Sequence, residues 1–169
     1  MIVSESVMPR VAVIMGSRSD WDVMSHCVDM LSTLGVECEV RVISAHRAPD
    51  ALFSYVEPLE SRGFEAIVAG AGLAAHLAGL CAAKTLLPVF GVPLPAGAFE
   101  GMDALLAIVQ MPAGVPVGTM AVGKAGAVNA ALMCVAQIAR KDARVREAWA
   151  RFREEQTRKI EAIGDPRDS

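Results

Sequence analysis

Three turns in this sequence carry residues able to do chemistry, and each follows a short apolar run. Gly16-Ser17-Arg18-Ser19-Asp20 comes after Arg10–Met15. Its glycine permits a tight turn, and its two hydroxyls, with the free N–H groups of a following helix, can hold a phosphate. Asp20 can accept hydrogen bonds from sugar hydroxyls or simply cap the helix, since Ser and Asp are ordinary capping residues. Ser44-Ala45-His46-Arg47 comes after Glu37–Ile43. Arg47 offers a planar fork of donors suited to phosphate, and His46 can trade a proton near neutral pH. The plainer reading is a surface histidine beside a solvated arginine. The third turn lies within Ala69–Leu77 (AGAGLAAHL), where small residues allow close backbone approach and leave a compact apolar hollow. Its G-x-G fragment lacks the third glycine of the dinucleotide fingerprint, and His76 alone reads as a core histidine on an apolar helix.

The elements that must position these turns alternate along the chain. Strands are predicted over Arg10–Met15, Glu37–Ile43, Phe64–Ala69 and Pro88–Val92, with Val117–Ala121 extended. Helices are predicted from Trp21 to Gly35, from Pro49 onward with Pro58 shortening or kinking it, and around Ala74–Thr85, Gly101–Val109 and Ala125–Ala139. Strands alternating with helices imply a parallel sheet covered on both faces, and ligands then gather at the carboxyl ends of its strands. All three turns sit at such ends. Two other segments, Gln110-Met111-Pro112 and Gly123-Lys124-Ala125-Gly126 with Asn129, read as turns into helices; Lys124 does not satisfy the phosphate-loop pattern. His26, on the first helix, reads as solvated.

Composition narrows the function classes. With 16 basic and 19 acidic residues the formal charge is −3, which gives no electrostatic footprint for nucleic acid or an anionic membrane. Hydrophobic residues make up 53% and mean hydropathy is +0.40, so part of the surface is expected to be buried by partner subunits. The uncharged stretch Ala66–Ala83 is long enough to raise a membrane span, but its glycines and His76 fit a buried strand–loop–helix unit better. Cys27, Cys38, Cys81 and Cys134 form no C-x-x-C pair and read as reduced core residues of a cytoplasmic protein. The expected organisation is a flexible leader over 1–9 without signal-peptide character, one α/β domain over 10–141, and a helix and tail over 142–169. In that tail Val145, Trp149, Phe152, Ile160 and Ile163 recur near helical spacing, which suits packing on a neighbouring subunit.

Taken in order, MGSRSDW (Met15–Trp21), VISAHRAPD (Val42–Asp50), AGAGLAAHLAG (Ala69–Gly79) and AIVQMPAGVPVGTMAVGKAGAVNAALM (Ala107–Met133) strongly resemble the N5-carboxyaminoimidazole ribonucleotide mutases of purine biosynthesis. The resemblance runs from about Arg10 to Ala139. It implies a flavodoxin-like three-layer α/β/α sandwich with a long C-terminal helix, assembled as a homo-octamer. It also implies a ribonucleotide substrate whose carboxyl group moves from an exocyclic nitrogen to ring carbon C4, with no metal or cofactor. On this resemblance Ser17, Ser19 and Arg47 match phosphate-holding positions beside Gly16, and Asp20 matches a ribose-binding position. His46 matches the catalytic histidine and His76 an assisting one. Ser44 and Ala45 line the site, while Ala71, Gly72 and Leu77 match the loop near the migrating carboxyl.

A second branch of the family carboxylates the ribonucleotide directly with carbon dioxide. It carries a Ser-Asn pair in place of the Ala-Ala-His run and tends to have Lys after the histidine, so Arg47 and Ala74-Ala75-His76 side with the mutases. Leu73 stands where the mutases usually have glycine, Ala78 where they usually have proline, and Pro95-Ala96 where Gln-Ser is common. A non-catalytic flavodoxin-like module is the rival from another class. A receiver needs a clustered acidic pocket and a cobalamin module an Asp-x-His-x-x-Gly stretch, and neither pattern occurs.

Overall fold

Three strands are buried at every position: β1 (Val11–Met15), β3 (Ala66–Ala71) and β4 (Val89–Pro93). A strand buried on both faces belongs inside a parallel sheet with helices above and below. The computed structural model, which describes residues 8–165 and 167, shows that arrangement. Five parallel strands lie in the order β2-β1-β3-β4-β5, with β2 (Cys38–Val42) and the two-residue β5 (Gly118–Thr119) at the edges.

Because successive side chains point to opposite faces, β1 divides its residues between two cores. Val11, Val13 and Met15 join a core under α1 (Trp21–Thr33), α5 (Lys124–Ile138) and the start of α6 (Ala143–Glu161). Ala12 and Ile14 join the other, under α2 (Pro49–Val56), α3 (Leu77–Ala82) and α4 (Met102–Val109). The result is the expected flavodoxin-like sandwich. Fully buried side chains such as Ile14, Met15 and Met24 each contribute roughly 1.5–3 kcal/mol of transfer free energy.

Several boundaries differ from the sequence expectation. β3 runs on through Gly70 and Ala71, which pair with Met15, Val92 and Pro93 of their neighbours. Gly70 makes room for Met24, since a Cβ there would stand 2.3 Å from Met24 Sδ and displace that side chain. Helix α2 ends at Val56, just before Pro58. Helix α3 is shorter than expected: Leu73–His76 form a tight loop instead, and His76 is the residue preceding the helix rather than one within it. Ala78 lies in the first turn of α3, where proline and alanine are both tolerated. The uncharged Ala66–Ala83 stretch is β3, that loop and α3, and no helix among the described residues is long and apolar enough to cross a membrane.

The first half of α6 folds back on its own chain, with Val145 buried and Trp149 and Phe152 packed on the α1–α5 side. Beyond Phe152 the helix is exposed, Ile160 and Ile163 included. Asp142 caps α6 through the amides of Arg144 and Val145 and pairs with Arg10, which also holds Glu65. Cys27, Cys81 and Cys134 are buried free thiols; burial pushes Cys81 up to about 12 and raises the other two, which leaves them unreactive. Of the leader expected over 1–9, residues 1–7 lie outside the described residues.

Candidate active site

The chain moves from β1 to β2 on one side of the sheet and then crosses to β3 on the other, so β1 and β3 flank the point where the winding reverses. A crevice forms at the carboxyl ends there. It holds a pocket of about 340 Å³, in the range of small-ligand sites. Gly16, Ser17, Ser19 and Asp20 line it from the β1 end, and Ser44, Ala45, His46 and Arg47 from the β2 end. Ala71, Gly72 and Leu77 enter from the β3 side. Thus the three turns converge. A larger hollow of about 810 Å³ lies at the amino ends of β3 and β4, around Glu57, Lys84, Leu86, Pro88 and Pro116. It has no histidine and sits away from the strand ends where open parallel sheets bind ligands.

The β1 turn is set by a reciprocal cap. Ser17 Oγ accepts from the Ser19 amide, and the Ser17 amide donates to Asp20 Oδ2 at 2.9 Å. Ser19 Oγ lies 3.0 Å from Ser17 Oγ, so both hydroxyls present together. Asp20 therefore does cap, but it caps the short turn Arg18–Asp20 and not α1. Burial pushes its carboxyl above the ordinary value, against the opposing pull of the Ser17 and Gly16 amides. In the β2 turn, Ser44 Oγ accepts from both the Arg47 amide and Arg47 Nε, at 3.3 and 3.2 Å. That fixes the stem of the arginine and leaves its terminal nitrogens for an anion. Hydroxyls, a guanidinium and one carboxylate form a donor set for a phosphorylated sugar rather than a metal.

The two histidines meet. His46 Nε2 lies 2.8 Å from His76 Nδ1, with the rings edge-on at 82° and their centroids 4.9 Å apart. One nitrogen must carry the hydrogen and the other the lone pair, so a pair protonated on both facing nitrogens cannot keep this contact. His76 reaches this position because its loop is wound tightly: the Ala75 amide donates to Leu73 O at 2.9 Å and the His76 amide to Ala74 O at 2.8 Å. Both imidazoles are exposed, so the hollow expected from the sequence is open to solvent in a single chain.

Leu73, Ala74 and Ala96 also line the pocket and were not among the expected site residues. The sequence signal for them is that Leu73 and the Pro95-Ala96 pair depart from the mutase pattern. Leu73 is held at φ +55°, a left-handed conformation that costs a side chain about 1 kcal/mol. Lys124 is exposed and lines none of this site. Gly126, in contrast, is buried where a Cβ would stand 1.7 Å from Ala121 O. His26 is half-buried on α1, away from the pocket.

Comparison with known proteins gives the family and the fold. Residues 10–159 match the sequence model of the family described as AIR carboxylase. An N5-carboxyaminoimidazole ribonucleotide mutase of Pseudomonas aeruginosa is 57% identical over 159 residues, covering 94% of this chain and 98% of the relative. The enzyme of that name from Escherichia coli is 49% identical over 158 residues, 94% of each chain. A crystal structure of Treponema denticola PurE superposes with a TM-score of 0.83 at 24% identity, over 92% of this chain and 96% of that one, which supports the fold. The chain belongs to the AIR carboxylase family.

Proposed function

We propose that the chain is an N5-carboxyaminoimidazole ribonucleotide mutase, using His46 as acid and then base. His46, which lines the pocket beside the Ser17, Ser19 and Arg47 donors and meets His76 from the neighbouring hollow, carries this reading. The names of the full-length relatives support it, as do Arg47 and Ala74-Ala75-His76. Ser17, Ser19 and Arg47 hold the phosphate, Asp20 accepts from ribose hydroxyls, and Gly16 allows the turn. Anchoring the phosphate remotely lets binding energy position the ring.

In the reaction His46 gives a proton to the carbamate nitrogen. The N–C bond breaks, its electron pair staying on nitrogen, and releases carbon dioxide beside the aminoimidazole. C4, made electron-rich by the ring amine, attacks that carbon dioxide and forms the new C–C bond. His46 then takes the C4 proton, which restores the aromatic ring and its own charge. One proton leaves His46 and one returns, so the reaction as written uses no metal, nucleotide or flavin. His76 Nδ1, facing His46 Nε2, orients the His46 imidazole through both steps. Ser44 orients Arg47, while Ala45, Ala71, Gly72 and Leu77 surround the ring and the carbon dioxide. Proximity then favours recapture over escape.

Assembly as a homo-octamer completes the proposal. Met102, Leu106 and Val109 form an exposed apolar stripe at helical spacing on α4, exposed Phe99 lies in the turn before it, and the far half of α6 is exposed. A second subunit over the crevice would supply the closure that one chain lacks. The free thiols suit a reducing cytoplasm.

The description of the matching family favours one competing reading, direct carboxylation. Purified protein assayed with the carbamate in bicarbonate-depleted buffer, and separately with aminoimidazole ribonucleotide plus bicarbonate, decides between them. The proposal expects turnover of the carbamate without added bicarbonate. Turnover of only the second mixture would overturn it.

A further inference from the structure

We infer that Leu73 is a specificity-determining residue whose side chain walls the mouth of the pocket and keeps carbon dioxide beside the ring. The inference rests on the mutase reading. It begins with a backbone outlier. Leu73 sits at φ +55°, where glycine would sit without steric conflict, so the fold tolerates strain to place a large side chain at this point.

The position of that side chain says what it is for. Among the described residues, Leu73 and Leu77 are the only large apolar ones lining the pocket. Leu77 is 2% exposed and forms the floor, whereas Leu73 is 54% exposed and stands at the rim. The leucine has a seat. A Cβ on Gly97 would stand 2.7 Å from Leu73 Cδ2, and Gly97 is itself at φ +63°. One residue earlier the same two loops mesh again, since a Cβ on Gly72 would lie 3.0 Å from Ala96 Cβ. The loop after β3 and the loop after β4 are thus cut to fit one another around this side chain. His76 follows within the same tight loop, which puts the apolar rim and the imidazole that meets His46 on one support.

Carbon dioxide offers no charge and only weak hydrogen-bond acceptors, so a site retains it by shape and apolar contact. The phosphate donors Ser17, Ser19 and Arg47 enter from the β1 and β2 ends instead. Removing the leucine should therefore spoil retention and leave ribonucleotide binding nearly intact.

The test uses the full chain and carbamate labelled with carbon-13 at its carboxyl, in buffer containing unlabelled bicarbonate. Label lost from the product, and decarboxylated ribonucleotide released per turnover, are both read. Leu73→Gly accepts the left-handed backbone and removes only the wall; Leu73→Ala is a second truncation should the glycine variant fail to fold. Either is expected to raise label loss and release by about fivefold or more. KM should stay within about twofold of the parent. Leu73→Met, which restores apolar bulk, should return retention to the parent level. Parent-like retention in a folded truncation overturns the inference, as does equal leakage from Leu73→Met. A parent chain that does not turn over the carbamate at all overturns the mutase reading, and this inference with it. A parent that retains label alongside a truncation that also retains it sinks the leucine alone.

Discussion

The loop Gly72–His76 and the segment Ala121–Gly126 look alike in sequence: both are rich in small residues and both stand at the start of a helix. In the structure they do opposite things. The first opens onto a pocket, carries an exposed leucine at positive φ, and delivers His76 to His46. The second turns inward, with Gly126 pressed against the Ala121 carbonyl and α5 laid on α1. Small residues thus serve access in one place and close packing in the other. What separates the two is whether polar groups from other strand ends converge on the space they leave.

The sharpest way to break this contrast is alanine at the two glycines. Gly126→Ala should cost about 3 kcal/mol of unfolding free energy or more, because its Cβ meets backbone that cannot swing aside. Gly72→Ala meets only Ala96 Cβ at 3.0 Å and Leu94 O at 3.3 Å, and should cost about 1 kcal/mol. Urea unfolding of both variants checks the order. Equal losses would mean that the two segments are packed alike.

On the access side, Arg47→Ala should weaken ribonucleotide binding about ten- to hundredfold through loss of charge-assisted hydrogen bonds, while leaving the melting temperature unchanged. Calorimetric titration reads the affinity. Unchanged affinity would remove the arginine from phosphate binding.

On the packing side, Asp142→Ala should cost about 1 kcal/mol by uncapping α6. The amide of Val145, then the Arg10 guanidinium, hold the Asp142 carboxyl below its ordinary value of 3.8. A carboxyl lowered in this way stabilises the fold above that value and loses the contribution as pH falls below it. The gap between parent and variant should therefore narrow below about pH 4 and stay constant above it. Thermal melts across that range test the sign, and a gap that widens in acid would refute the pairing.

Much of the site was legible because turn chemistry follows strand ends. Ser17, Asp20, His46 and Arg47 each stand just after an apolar run, and a parallel sheet sends such residues to one edge. What stayed hidden depends on long-range contact. The 2.8 Å meeting of His46 with His76 needs the β2 and β3 ends on either side of β1 and a loop wound tighter than a helix. The sequence pattern alone puts His76 inside a helix, whereas it precedes α3. Ala96 joined the pocket only once β4 was set beside β3. Gly126 gave no sign of its role, since only the turn at Gly123, with φ +75°, brings the Ala121 carbonyl against it. The tail was half legible. Val145, Trp149 and Phe152 do face an apolar surface, but it is the surface of their own chain.

The most direct test of the account is His46→Asn, measured for both binding and turnover. Asparagine keeps a polar side chain in the pocket and removes the group that carries the proton. The account predicts ribonucleotide affinity within a few-fold of the parent and carbamate turnover lower by about 10²-fold or more. Near-normal turnover in that variant would contradict it outright.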